Sequence, residues 1–258
     1  MANSELAGAG VLVTRPEHQA TELIRAITAH GGAAVALPVI DVVPRDANTV
    51  AETARTLREP DVSIFVSANA VQYGLAHAGD AKIAVVGPAT AAAVNARGRS
   101  IDIHSPAGYD SEHLLAMQEL QEVSGKVVRI IRGNGGRELL ADGLRQRGAI
   151  VEYLAVYDRQ VPQYAASFLE ELEQQWCSGA INVVTIMSVE SLKNMLKILP
   201  GRCRKELEST PLVTPAARVI KEVLNLFPGI PVTLAKGPQA GDMIEAIIMS
   251  RAAKTGQS

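Results

Sequence analysis

Short apolar runs recur along the chain with helical patterns between them. They are VLVT (11–14), AAVAL (33–37), VSIFV (62–66), KIAVV (82–86), KVVRII (126–131), IVEYLAVY (150–157), INVVTIM (181–187), PLVT (211–214) and PVTLA (231–235), with IDIHS (101–105) as a weaker tenth. Runs of this length that alternate with amphipathic segments predict parallel strands covered by helices on both faces. Ten of them predict two sheets of five. The intervening segments carry helix punctuation: Leu23, Ile24 and Ile27 fall at helical spacing before Gly31, and Leu140 and Leu144 do so before Gly148.

The pattern repeats. With a shift of 117 residues, residues 15–41 meet residues 132–158 with identities at Arg15, Leu23, Gly31, Leu37, Val39 and Asp41. A second set, FVSANAVQYGL, VVGPATAAAV and HSPAGYDSEHLL in residues 65–115, corresponds to TIMSVESLKNML, LVTPAARVI and LAKGPQAGDMIEAI in residues 185–247, each a strand, a small polar turn and a helix. The copies follow one another as A, B, A′, B′. B with A′ makes a contiguous domain at 45–155, so A and B′ must combine into a discontinuous one, 1–37 plus 164–258. The chain then crosses between domains at 38–44 and 156–163, which contain Pro38, Pro44 and Pro162 and are expected to run side by side. The predicted fold class is α/β: two similar flavodoxin-like domains with parallel sheets, built from an interleaved repeat and joined by a two-segment crossover hinge around a cleft. Residues 1–9 and the tail from Arg251 carry no apolar period and predict frayed ends.

Composition narrows the function classes. A chain 47% hydrophobic and 20% charged has ample core and is not disordered. Its net charge of −2 and pI near 6.2 weigh against nucleic acid or an anionic membrane as partner, so any anion site must be local. No stretch approaches the roughly 20 apolar residues of a membrane span, and no leader pattern opens the chain. A cytoplasmic location is expected. Cys177 and Cys203 lack C-x-x-C spacing and read as reduced structural thiols. His18, His30, His77, His104 and His113 show no ligand spacing, so no metal is expected.

In open parallel sheets, ligands bind beyond the carboxyl ends of the strands. The residues there are Thr14-Arg15-Pro16, Ser67-Ala68-Asn69, Gly87-Pro88-Ala89-Thr90, Arg132-Gly133-Asn134, Ser188-Val189-Glu190, Thr214-Pro215 and Lys236-Gly237-Pro238. Each alone is an ordinary helix start, with a hydroxyl cap or a proline at the first helical position. As a set, helix N-termini facing one cleft suit a ligand with many carboxylates or phosphates. Arg15, Arg132, Arg137 and Lys236 either add charge at its rim or are solvated surface. The run RGNGGREL (132–139) has neither dinucleotide nor P-loop spacing, and no G-x-S-x-G elbow occurs. Tyr157 ends IVEYLAVY at a crossing, where its phenol either packs the hinge or overlooks the cleft as a proton or hydrogen-bond donor.

Taken in order, VLVTRPEHQATEL, FVSANAV, AVVGPATAAAV, RIIRGNGGREL and LAVYDRQ make the chain resemble the uroporphyrinogen-III synthase family over about residues 11–248. The resemblance implies a cofactor-free lyase of tetrapyrrole and heme biosynthesis. Such an enzyme cyclises the linear tetrapyrrole hydroxymethylbilane, which bears eight carboxylates, to uroporphyrinogen III, inverting ring D through an azafulvene and a spiro intermediate. The partner it implies is this small molecule; a monomer is expected, with neither nucleic acid nor membrane as partner. Tyr157 matches the family's functional tyrosine and is implied to assist departure of the hydroxyl. Ser67, Thr90 and Ser188 match cleft positions; Thr14, Arg15, Ala68, Asn69, Arg132, Gly133 and Thr214 complete the expected substrate-binding set. One turn departs from the family: Thr214-Pro215-Ala216-Ala217 stands where many members carry a Gly-Pro-Thr-Thr-like sequence.

Two other readings fit parts of the pattern. A two-domain binding or sensor protein that closes on an anionic ligand is equally compatible with the crossings. A flavin or nicotinamide oxidoreductase is disfavoured by the missing fingerprint and by an aromatic content of only 3%.

Overall fold

The computed structural model describes residues 5–135 and 138–255, apart from the side chains at 18 and 253–255. The chain divides into two compact units, Met1–Asp41 with Gln160–Ser258, and Val42–Arg159. With strands numbered along the whole chain, the first unit holds β1 (Gly10–Val13), β2 (Ala33–Ala36), β9 (Val183–Thr185), β10 (Leu212–Thr214) and β11 (Val232–Leu234), all parallel. Their spatial order is β11-β10-β9-β1-β2. The second sheet holds β3 (Asp41–Pro44), β4 (Val62–Phe65), β5 (Lys82–Val85), β6 (Ile103–His104), β7 (Val127–Gly133) and β8 (Ile150–Gln160), in the order β3-β8-β7-β4-β5-β6.

Without β3, both sheets have the flavodoxin-like order 2-1-3-4-5, provided the second is counted from β7. The interleaved repeat requires that permuted count. Registers agree too: Gly10 lies opposite Ala33 and Val127 opposite Ile150, at the same offset of 117 residues. β1, β4, β9 and β10 are mainly apolar runs buried along their whole length, as strands covered on both faces must be.

The helices of the two copies are anchored and stopped alike. Leu23 and Ile27 of the helix Glu17–Ala29 are buried, as are their counterparts Leu140 and Leu144 of the helix Leu139–Gln146. Each helix ends in a glycine of positive φ, Gly31 at 82° and Gly148 at 80°. In both, the glycine N–H and the next N–H bond back to the second- and third-last helical carbonyls: Gly31 to Thr28 and Gly32 to Ile27 at 3.0 Å each, Gly148 to Arg145 at 2.9 Å and Ala149 to Leu144 at 3.1 Å. This is the Schellman arrangement, in which any Cβ at the glycine is strained.

Three expectations need correction. Among the described residues there are eleven strands, in sheets of five and six, because 41–44, expected as bare crossing, form β3 beside β8, and β8 runs on past Tyr157 to Gln160. The β-branched pair Val42 and Val43 favours that pairing. Arg45 reinforces it, its N–H donating to the Val156 carbonyl at 3.1 Å and its guanidinium gripping both Asp158 carboxylate oxygens at 2.9 and 3.1 Å. Second, the described ends are tied down. Leu6 is fully buried, its carbonyl accepts from Arg251 at 3.1 Å, and the last helix, Ala240–Thr255, continues through Arg251. Third, proline occupies the first helical position only at Pro88 among the proline turns expected to show it. Pro16 is itself the cap residue, and Pro215 precedes the cap Ala216.

Candidate functional site

The sharpest local departure from regular structure in Val42–Arg159 lies where β7 meets β8. Arg132 pairs with Ala155, but Gly133 pairs with Tyr157, so Val156 is an extra residue in the ladder. Before this bulge, β8 alternates strictly: Val151 and Tyr153 pack on one face, Leu154 and Val156 on the other. Alternation would send Tyr157 to the face of Tyr153. The bulge sends it to the face of Leu154 and Val156 instead, as an inserted residue re-aims the side chains that follow it.

Tyr157 is 2% exposed, and its ring covers the Cα of Gly133. A Cβ at Gly133 would fall 2.4 to 2.9 Å from three ring atoms, so only glycine leaves room. Gly133 therefore serves the tyrosine. The Tyr73 ring flanks Tyr157 at 6.3 Å, tilted by 54°. The phenolic oxygen lies 3.1 Å from the Ser67 hydroxyl, and either group can donate. Ser67 also caps the helix Ala68–Gly74, its oxygen accepting the Ala70 N–H at 3.1 Å. Asn69 and Thr90 are buried close to the starts of their helices, and Ala68 is half-buried.

Arg132 is turned inward. It is 8% exposed, its Nε donates to the Gly135 carbonyl at 2.9 Å, its Nη1 reaches Glu138 at 3.2 Å, and its guanidinium stacks over Tyr153 at 4.7 Å. Glu138 also accepts from the Tyr153 hydroxyl and faces Arg145 at 3.8 Å. The tyrosine hydrogen bond, then the arginines, hold the Glu138 carboxyl below its usual range. Burial, with Glu138 adding to it, raises the Tyr153 phenol. Arg132 thus ties Gly135 and Glu138 to the end of β7. Arg137 lies outside the described residues.

In the other unit, Ser188 caps the helix Val189–Ile198, accepting from the Ser191 N–H at 3.0 Å, with its hydroxyl 2.9 Å from that of Ser191. Thr14 and Thr214 are fully buried. Thr14 donates to the Thr185 carbonyl at 2.6 Å, and the Thr214 hydroxyl accepts from Ala216 N–H at 3.2 Å, so both fix strand ends. Arg15 donates to the Pro238 carbonyl while its buried Nε has no partner among the described residues, and burial lowers its pKa against the opposing pull of Glu22. Lys236 is exposed and paired with Glu245 at 2.7 Å.

Of the residues expected from sequence, the fold joins Tyr157, Ser67 and Gly133 into one contact group. Thr14, Arg15, Ser188 and Thr214 belong to the other unit. Tyr73, Tyr153 and Glu138 were not expected. Tyr73 carries a signal, lying six residues beyond Ser67 on the same helix; Glu138 and Tyr153 carry none, since only the β7–β8 pairing makes them neighbours. Among the described residues no three of His, Cys, Asp and Glu come together, both cysteines are free, and no helix is long and apolar enough to cross a membrane.

Residues 21–245 match the family model described as uroporphyrinogen-III synthase HemD. A uroporphyrinogen-III synthase of Salmonella typhimurium is 32% identical over 203 residues, 74% of this chain and 80% of that protein. A putative uroporphyrinogen-III synthase of Methanothermobacter thermautotrophicus is 30% identical over 258 residues, 92% of this chain and 97% of its own. Among solved structures, the Helicobacter pylori uroporphyrinogen-III synthetase aligns with a TM-score of 0.63 at 12% identity, over 93% of this chain and 99% of that one. A mutant uroporphyrinogen III synthase of Thermus thermophilus gives 0.62 at 14%, over 95% and 99%. At such identities the structures speak for the fold alone.

Proposed function

The chain belongs to the uroporphyrinogen-III synthase family, and on that premise we propose that it closes hydroxymethylbilane to uroporphyrinogen III with Tyr157 as the group that assists loss of the hydroxyl. Enzymes of this family are cyclising lyases of tetrapyrrole and heme biosynthesis. The bilane also closes unaided to the uninverted isomer, so the enzyme must hold a conformation in which ring D attacks through its substituted carbon. Binding that conformation more tightly than the others is enough to select the spiro route. Strong acid–base groups are not required, and one well-placed donor suffices.

The observation that carries the assignment is the bulge, which sets an otherwise solvent-shielded phenol over Gly133 with its oxygen against a second hydroxyl. Packing accounts for the buried ring, whereas the hydroxyl set 3.1 Å from that of Ser67 supports a polar role. Within Val42–Arg159 we assign Ala68, Asn69, Thr90 and the turn at Arg132 to the substrate's carboxylates and pyrrole N–H groups. In the other unit Arg15 and Ser188 take that role, while Thr14 and Thr214, whose hydroxyls are engaged, contribute by holding the strand ends and the N–H groups beyond them.

The purified protein is given freshly generated hydroxymethylbilane, and the products are oxidised and separated by isomer. Type III is expected; type I alone, at the uncatalysed rate, overturns the reading. Tyr157→Phe is expected to slow type III formation about tenfold or more, below the roughly hundredfold at which general-acid contributions usually begin because positioning carries most of the rate, with circular dichroism unchanged. Unaltered turnover would return Tyr157 to a packing role.

A further inference from the structure

We infer that Ser67 is a positioning residue for Tyr157, its hydroxyl donating to the phenolic oxygen so that the phenol's own proton is free to leave with the substrate hydroxyl. The inference rests on the reading of Tyr157 as that donor.

The Ser67 oxygen already accepts one hydrogen bond, from the Ala70 N–H at 3.1 Å. Its own proton remains to be placed, and the phenolic oxygen is 3.1 Å away. With Ser67 donating, the Tyr157 O–H turns away from Ser67. As the carbon–oxygen bond of the hydroxymethyl group breaks, the leaving oxygen takes the phenolic proton and departs as water, and the pyrrole nitrogen's electron pair closes the azafulvenium. Its N–H proton then returns to the phenolate, giving the azafulvene and restoring the phenol. For that interval the oxygen carries negative charge in a side chain that is 2% exposed, where an unpaired charge is costly and a hydrogen bond already in place offsets the cost. Gly133 keeps the ring where Ser67 can reach it.

The repeat separates this role from capping. Ser188 caps its helix in the same geometry, with φ and ψ of −157° and 162° against −162° and 162° for Ser67. Its hydroxyl meets Ser191, and Ile40 stands at the repeat position of Tyr157. A cap alone therefore accounts for Ser188 but leaves the Ser67–Tyr157 contact unexplained.

The test is a double-mutant cycle on turnover of freshly generated hydroxymethylbilane to the type III isomer. Ser67→Gly removes the hydroxyl, and glycine is a tolerated cap. It should lower kcat about tenfold, as expected for loss of a hydrogen bond to a developing charge, with KM nearly unchanged. In a Tyr157→Phe background the same change should cost less than about twofold, because its effect runs through the phenol. Ser67→Thr should recover most of the rate. Equal losses in both backgrounds, a rise in KM at constant kcat, or no loss at all would overturn the inference. Tyr157→Phe at full rate would instead remove the reading beneath it. If Tyr157→Phe leaves no measurable rate, the split between kcat and KM decides.

Discussion

The two strand-helix-strand copies, residues 15–41 and 132–158, share strand register, buried leucines and glycine stop, yet they end differently. In the first copy β1 and β2 stop at Val13 and Ala36; in the second β7 and β8 run on to Gly133 and Gln160. The first copy has Pro16 and Pro38 where the second has Gly133 and Ala155. Regular pairing in the first copy ends before these prolines, with the Val39 N–H still reaching the Thr14 carbonyl at 3.3 Å, whereas the second copy extends, bulges and turns Tyr157 inward. The repeat position of that tyrosine is Ile40. The repeat supplies the scaffold, and a few different residues at the strand ends make one copy a seat for a phenol.

The charges differ as well. At the repeat positions of Glu138, Arg145 and Tyr153 stand Thr21, Thr28 and Ala36, so the clamp around Arg132 has no equivalent around Arg15. Arg15 reaches a backbone carbonyl instead. The same arginine in the same place has acquired different work in each unit.

The largest effect that probes this comparison lies in the shared core. Leu23→Ala and Leu140→Ala should each lose about 2–5 kcal/mol in urea denaturation, as truncations of fully enclosed leucines do. A loss below about 1 kcal/mol in only one of them would break the equivalence of the helices. Next come the serine caps. Ser67→Ala and Ser188→Ala should each cost about 1 kcal/mol of stability, and nearly the same amount, because both accept one N–H in the same geometry. A distinctly larger cost at Ser67 would show the Tyr157 contact acting on stability as well.

The smallest effect is acid lability. Among the described residues three carboxyls lie below their usual range, and all belong to Val42–Arg159: Asp46 through the Thr49 N–H, Asp110 through the His113 N–H, and Glu138 through Tyr153. A lowered folded pKa means that the folded form takes up protons less readily than the unfolded one. The stability these groups add is therefore present above about pH 4 and is lost as pH falls through the lowered values. Trp176, the chain's single tryptophan, is buried in the other unit. On acidification, far-UV circular dichroism should decline before Trp176 fluorescence changes. The reverse order would contradict the asymmetry.

Much of the fold was legible in the sequence because its signals are local or repeat at a fixed offset. Apolar runs marked the strands, Gly31 and Gly148 marked the helix ends, and the shift of 117 residues fixed which pieces belong together. The strand at Asp41–Pro44 was missed since two valines between prolines look like a linker until a partner strand is beside them. The structural roles of Gly133 and Arg132 were hidden in the sequence for a related reason. A glycine and an arginine at a strand end look like ligand contacts, and only the packed ring of Tyr157 and the carboxylate of Glu138 show what fills their surroundings.

By itself, the sequence determined the architecture, the family and the identity of Tyr157 as the residue to watch, since each depends on pattern, order and residue type. The tertiary structure alone decided the direction in which that tyrosine points. One extra residue in the β7–β8 ladder reverses the face of everything after it, and whether a ladder slips there depends on hydrogen bonds between segments far apart in the chain.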